Sequence, residues 1–263
     1  MHPIVSEIKN ALKDVYPESE AFSLAKMLLV EVFGFSTLEL YGGKDKDISG
    51  KRRDVLNEMI ARLRKNEPIQ YIIGIETFCG LTFEVTPDVL IPRPETRELV
   101  EWIVDDWKAK PCCRILDIGT GSGCIPVSLA KMLDDAQVES WDISVEALQV
   151  ARRNGVRNGV NVCFRQKDVL TAVPEGNLYD VMVSNPPYIC EQEKSLMRSN
   201  VLDFEPHLAL FVPDSDPLLF YREIAVASKS LLKSGGMLFY EINERFGAET
   251  KAMLEQLGYT NCQ

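Results

Sequence analysis

The chain is short of metal ligands. It has two histidines, His2 and His207, and no Cys-x-x-Cys spacing among its seven cysteines, at positions 79, 112, 113, 124, 163, 190 and 262. An odd cysteine count with so few imidazoles argues against a zinc site and for reduced, cytoplasmic thiols. Long apolar runs are also missing, since none approaches the ~18 residues of a membrane span. The first seven residues, Met1-His2-Pro3-Ile4-Val5-Ser6-Glu7, offer neither a basic n-region nor an apolar h-region, so no signal peptide is expected. Internal repeats and low-complexity tracts are absent. Basic charge is scarce as well: the net charge is −10, and the deficit lies in residues 76–263, with 28 acidic and 18 basic side chains against 11 of each in residues 1–75. A surface that grips a phosphate backbone is normally basic, so the acidic part points to a protein or small-molecule substrate. What is present is an ordinary globular composition, 46% hydrophobic and 26% charged, in a length that suits one large domain and one small one.

The most informative stretch is 180–188, Asp-Val-Met-Val-Ser-Asn-Pro-Pro-Tyr. Its apolar run reads as a buried parallel strand, which must end at Asn185 because Pro186 and Pro187 have no N–H to donate. Asn185 then offers an acceptor and a donor pair, the two prolines stiffen a backbone with free carbonyls, and Tyr188 adds an aromatic face. Such a device suits a flat –CO–NH2 or ring–NH2 group. The plainer reading is a Pro-Pro turn with an incidental asparagine.

Residues 1–66 read as helical. Ser19-Glu20 is a candidate cap for a helix ending at Gly34, and a second helix after Ser49 places Val55, Met59, Ile60 and Leu63 on one face. The basic residues on that helix are first of all a solvated face. Residues 68–74 change the texture to β. Residues 77–78 and 81–85, around Cys79-Gly80, predict a hairpin that links the domains. The Pro-rich segment 90–96 is either a rigid linker or places Arg93 and Glu95 at the mouth of a site. From Arg114 onward strands and helices alternate: strands at 115–117, 138–142, 162–166, 180–184 and 236–242, and helices at 125–133, 145–155 and 217–232. This pattern implies an α/β, Rossmann-like, doubly wound and mostly parallel sheet, with its ligand at the carboxyl edge.

The first β–α turn is Gly119-Thr120-Gly121-Ser122-Gly123. Its glycines permit positive φ and close backbone approach, but the third comes too early for the dinucleotide fingerprint and no Walker lysine follows. Asp117 would repel a pyrophosphate and suits a cationic amino group. Asp142, about 20 residues past the loop, is placed to hold both ribose hydroxyls. A ribose-bearing, cationic ligand without pyrophosphate describes S-adenosylmethionine. Asp168, after the third strand, falls where the adenine amino group belongs. A glycine-rich turn without ligand is the alternative, and the paired acids argue against it.

The glycine loop with Asn-Pro-Pro-Tyr resembles the class I S-adenosylmethionine-dependent methyltransferases acting on amino groups. With residues 70–74 (Gln-Tyr-Ile-Ile-Gly), 91–96 (Ile-Pro-Arg-Pro-Glu-Thr) and 204–210 (Phe-Glu-Pro-His-Leu-Ala-Leu), most of the chain resembles the peptide chain release factor glutamine methyltransferases. The resemblance implies methyl transfer to the side-chain nitrogen of the glutamine in the Gly-Gly-Gln motif of class 1 release factors. It also implies a cofactor site of Asp117, Gly119, Thr120, Gly121, Ser122, Gly123, Asp142, Asp168, Val169 and Asn185, with Val169 against adenine. Asn185 and the Pro186 carbonyl would hold the glutamine amide, beside Pro187 and Tyr188. Residues 1–66 would dock the release factor, 67–95 form the hairpin and linker, and 96–263 the catalytic domain. Glu205 and His207 are the nearest base candidates by motif. Two features depart from the family pattern: Arg97 stands where glutamate is usual, and little sequence follows Gly258-Tyr259 where a further antiparallel strand is expected. The rival readings are an adenine-N6 methyltransferase, for which the acidity is wrong, and a non-catalytic cofactor-binding scaffold for release factor.

Overall fold

The apolar run at 181–183 lies within a five-stranded sheet in the computed structural model, which describes every residue except 43–46, 111, 172–175 and 177. The chain divides into two compact units, Met1–Gly74 with Ser199–Phe204, and Ile75–Arg198 with Glu205–Gln263. In the first unit, α1 (Pro3–Leu12) starts on His2, whose Nδ1 accepts from the Ile4 N–H at 3.3 Å. Its buried residues Ile4, Val5, Ile8 and Leu12 meet α2 (Glu18–Met27), which runs on as a π turn to Val32. Gly34, at φ +64°, ends that segment as its composition predicts. Ser19 does not cap it: the helix begins at Glu18, after Pro17, with no side-chain cap. After α3 (Thr37–Gly42), α4 (Lys51–Leu63) buries Leu56, Ile60 and Leu63. Val55, expected on the inner face, is 42% exposed, because the helix is turned to give Leu56 to the core. Arg53 of α4 pairs with Glu7, and Arg62 with Glu67, while Arg52 donates to the Phe33 carbonyl. Those cations hold their own unit together.

Residues 69–73, expected as β, form the short helix α5 (Ile69–Ile73). Pro68 opens it with its carbonyl accepting from Ile72 N–H at 3.2 Å, and Gly74, at φ +80°, closes it through a 2.7 Å bond to the Gln70 carbonyl. Burial of Ile69 and Ile72 in the helical core outweighs their β preference.

The second unit opens with the hairpin β1 (Ile75–Phe78) and β2 (Leu81–Glu84), as the sequence predicts. Cys79 and Gly80 both have positive φ, 49° and 73°, which matches the twist of a two-residue hairpin. Then follow α6 (Pro94–Trp107), β3 (Arg114–Ile118), α7 (Cys124–Met132), β4 (Gln137–Asp142), α8 (Val145–Asn158), β5 (Val162–Gln166) and β6 (Tyr179–Ser184). The rest comprises β7 (Ile189–Cys190), α9 (Ser199–Leu202) of the first unit, β8 (Phe211–Val212), α10 (Leu219–Leu231), β9 (Leu232–Tyr240) and α11 (Gly247–Gln256).

The sheet order is β5-β4-β3-β6-β9, and every neighbouring pair is parallel. Successive residues serve opposite faces. Ile115, Val181 and Val183 pack with Val100 and Ile103 of α6 and Val127 of α7, while Leu116 and Met182 pack with Ile224 and Leu231 of α10. A sheet covered on both sides explains the unbroken apolar runs. The chain steps from β3 outward to β4 and β5, then returns to the other side of β3 as β6. That reversal opens a crevice above the carboxyl ends of β3 and β6. The fifth strand starts earlier than expected, at Leu232, and stops at Tyr240, leaving Glu241 and Ile242 beyond it. The extra length passes through an irregularity at Gly235-Gly236, where a Cβ on Gly236 would lie 3.1 Å from the Asp180 carbonyl. Among the described residues β9 has one strand neighbour, β6.

Candidate functional site

Three strand ends converge on a cavity of about 460 Å³. Asp117, next to last in β3, is buried. Its Oδ2 accepts from Ser140 Oγ on β4 at 2.6 Å, and its Oδ1 has no hydrogen-bond partner. Burial, reinforced by the charge of Asp142, pushes this carboxyl up to about 7. Thr120 Oγ1 lies against Ser140 Oγ and donates to the Trp141 carbonyl at 3.1 Å, which ties the glycine loop to β4.

The loop turns through Gly119, Gly121 and Gly123, all at positive φ. Gly123 must also be small, because a Cβ there would lie 3.0 Å from the Cβ of Ala151 on α8. Asn154, fully buried on α8, donates to the Ser122 carbonyl at 2.8 Å and to the Glu84 carbonyl at 2.9 Å, so it fastens the loop to the hairpin. At the end of β4, Asp142 accepts from the Gly121 N–H at 2.9 Å and the Ser144 N–H at 2.8 Å. Burial raises its carboxyl and these backbone donors oppose the shift.

Asp168 and Val169, after β5, line the same cavity, and Asp168 Oδ1 accepts from the Leu170 N–H at 2.9 Å. Asn185, Pro186 and Pro187 form another part of its wall. Of the residues the sequence singled out, Gly119, Thr120, Gly121, Ser122, Asp142, Asp168, Val169, Asn185, Pro186 and Pro187 share one cavity lining. Asp117, Gly123 and Tyr188 do not reach it. Asp117 sits beneath the loop in hydrogen-bond contact with β4, Gly123 packs on α8, and Tyr188 turns to Glu241, its hydroxyl donating to Oε1 at 3.0 Å.

Sequence reasoning missed three polar partners. Thr96 Oγ1 donates to Glu241 Oε2 at 2.6 Å and accepts from Asn185 Nδ2 at 3.3 Å. Ser140 supports Asp117, and Glu241 gathers Thr96 and Tyr188. A signal was available for Glu241: it directly follows the apolar run 237–240 of β9, at the carboxyl edge where Asp142 also stands. The base candidate Glu205 is already engaged. Its buried carboxylate accepts from Arg93 Nη2 at 2.5 Å and from the Ile91 N–H at 3.2 Å, locking the Pro-rich segment to the 205–209 wall. Arg93 is therefore a cavity-wall residue held by an ion pair. No cluster of three or more His, Cys, Asp or Glu among the described residues could hold a metal.

The unpartnered Asp117 Oδ1, the open glycine loop and the acid at the end of β4 together fit a cationic, hydroxyl-bearing ligand. The amino-acid sequence has matching relatives. Residues 96–202 match the methyltransferase small domain family, and residues 4–74 the PrmC N-terminal domain family. A release factor glutamine methyltransferase of Bacteroides thetaiotaomicron is 50% identical over 98% of this chain and 93% of its own length. One from Flavobacterium psychrophilum is 40% identical over 97% and 91%. The catalytic domain of hMettl16, solved with the MAT2A 3'UTR hairpin 6, superposes with a TM-score of 0.54 at 22% identity, over 70% of this chain and 72% of that one. That last likeness concerns the fold alone.

Proposed function

The chain belongs to the release factor glutamine methyltransferase family, and on that premise we propose that the cavity above β3, β4 and β6 methylates the side-chain amide nitrogen of a release factor's Gly-Gly-Gln glutamine. Asp117, from beneath the glycine loop, would attract the amino group of S-adenosylmethionine through its charge, Asp142 would hold the ribose hydroxyls, and Asp168 and Val169 the adenine. When bound, the cofactor supplies an electrophilic methyl group.

The protein's own task is to make a poor nucleophile attack. An amide nitrogen has its lone pair delocalised into the carbonyl. Asn185 Oδ1 and the Pro186 carbonyl, on adjacent residues of a proline-stiffened turn, would accept the two amide hydrogens and fix the nitrogen in one orientation. The same acceptors favour positive charge as it develops on that nitrogen. Positioning of this kind is worth roughly 7–11 kcal/mol in favourable cases. Glu205 is given no role as a base, because its buried carboxylate lies outside the cavity lining, paired with Arg93 and the Ile91 N–H, and the methylated nitrogen would release its extra proton to water.

The observation that carries the reading is Asn185 and Pro186 sharing a cavity wall with the glycine loop and Asp142. Radiolabelled methyl transfer to a release factor tests it, with the Gly-Gly-Gln glutamine replaced in a control. Label on the intact factor and none on the control is expected. Equal label on both would overturn the glutamine assignment.

A further inference from the structure

The Asn185 side chain has two faces of similar shape, and only one serves the reaction. If its oxygen points into the cleft, it accepts a hydrogen from the substrate –NH2. If its nitrogen does, donor meets donor. Something must choose, and the choice is visible in the hydrogen-bond chain behind Asn185.

Glu241 sits one residue past β9, and its N–H donates to the Ser184 carbonyl at 3.1 Å, which registers it beside the end of β6. Its carboxylate accepts from two hydroxyls, Thr96 at 2.6 Å on Oε2 and Tyr188 at 3.0 Å on Oε1. An ionised carboxylate can only accept. The single hydroxyl hydrogen of buried Thr96 is therefore committed to Glu241, and toward Asn185 Thr96 can offer only lone pairs. Asn185 meets that acceptor with its Nδ2, at 3.3 Å. Its Oδ1 is left for the cleft.

We propose that Glu241 is a positioning residue that sets the polarity of Asn185: through the Thr96 hydroxyl it forces the asparagine to present its oxygen, so the cleft accepts an amide –NH2 and rejects a carboxylate. The inference rests on the function proposed above and adds the means by which glutamine is told from glutamate. Through Tyr188, the same carboxylate holds the other end of the Asn-Pro-Pro-Tyr turn. A glutamine at 241 would break the logic. Its amide nitrogen could donate to Thr96, freeing the Thr96 hydrogen to bond Asn185 Oδ1 and letting the asparagine amide turn over.

The test uses the full chain and a release factor, with kcat, KM, cofactor affinity and melting temperature measured together. Glu241→Gln should lower kcat at least about ten-fold, the scale of one charge-assisted hydrogen bond, with cofactor affinity within about two-fold of wild type. Thr96→Val, which keeps the shape and deletes the relay, should lose kcat similarly, whereas Thr96→Ser should retain most activity. Combining Glu241→Gln with Thr96→Val should add little, since both break one chain. A release factor carrying glutamate in place of the target glutamine should inhibit Glu241→Gln more strongly than wild type, an effect that loosened packing would not produce. Wild-type kcat in either Glu241→Gln or Thr96→Val would overturn the relay, as would equal inhibition by the glutamate factor. If wild type itself leaves the intact release factor unlabelled, the proposed function fails first, and that result is distinct from a relay that fails in an active enzyme.

Discussion

Asp117 Oδ2 accepts a 2.6 Å hydrogen bond from Ser140 Oγ, while Oδ1 of the same carboxyl, equally removed from water, has no partner. An unpaired acceptor in the interior costs free energy, and here it lies under the loop that lines the cavity.

Burial raises the Asp117 carboxyl from its ordinary value of 3.8 to about 7, which makes the first prediction one of pH. Between those values the unfolded chain has released this proton and the folded chain has kept it. Asp117 therefore lowers stability as pH climbs from about 4 toward 7, and its contribution levels off above. Binding of a cationic amino group has the opposite trend, because it needs the carboxylate. Cofactor affinity measured by calorimetry should be greatest between about pH 7 and 8, above which the ligand's own α-amino group loses its proton, and should weaken with falling pH, approaching ten-fold per unit well below 7. Asp117→Asn should bind more weakly and lose the slope. A slope that persists in Asp117→Asn would assign the titration to another group.

Gly123 gives the second prediction, on stability. Gly123→Ala places a Cβ 3.0 Å from the Ala151 Cβ at a φ of +81°. Overpacking of this kind costs about 1–3 kcal/mol, and the left-handed backbone adds roughly 1–2 kcal/mol. Ala151→Gly removes only the nearer contact, because the Ala151 Cα would still lie 3.2 Å away, and it costs about 0.5–1 kcal/mol itself as a glycine within α8. Urea melts of both single variants and the double variant should therefore show a double loss smaller than the sum of the singles, and strict additivity would remove the overlap with Ala151 as a cause.

How much was legible in advance follows from where the determining contacts are. The strands at 162–166 and 179–184 and the hairpin were readable because each is bounded locally, by glycine, proline or a change of period. The converging acids were readable too, since a parallel sheet delivers its strand ends to one edge. Residues 69–73 were not: Ile and Tyr there favour β locally, and only burial against the helical core makes them α5. The hydrogen bonds made by Thr96, Ser140 and Glu241 were hidden for a similar reason. Their partners are 145, 23 and 53 positions away in the chain, so no local pattern connects them.

The third prediction uses the asymmetry of the Arg93–Glu205 pair, in which the glutamate side chain is 1% exposed and the arginine 32%. Removing the arginine strands a carboxylate in the interior with one backbone donor, whereas removing the acid leaves a cation that water can still reach. Arg93→Ala should cost about 3–5 kcal/mol and Glu205→Gln distinctly less. Denaturant titrations of both variants give the comparison. Equal losses would show that the pair acts as a packing element rather than as charges.

The last prediction concerns Asn185. Asn185→Ala deletes an acceptor from the cavity wall and leaves the Pro186 carbonyl in place. If the acceptor acts on the developing charge at nitrogen, kcat should fall by about a hundred-fold or more, the range seen when one preorganised polar group is removed. Cofactor affinity should change far less, the pattern of an interaction made mainly in the transition state. Asn185→Asp separates the two jobs of the side chain. It keeps an oxygen for the substrate amide but sets its second oxygen against Thr96 Oγ1, whose hydrogen is held by Glu241 at 2.6 Å. The new carboxylate must then turn away or take up a proton, so activity should stay well below wild type despite the retained acceptor. Adding Glu241→Gln should raise it again, because Thr96 is then free to donate. Assays that offer a release factor and a duplex oligonucleotide side by side read all of these variants. Full activity of Asn185→Ala on the release factor would reduce Asn-Pro-Pro-Tyr to a turn, and label on the oligonucleotide alone would move the substrate from glutamine to adenine.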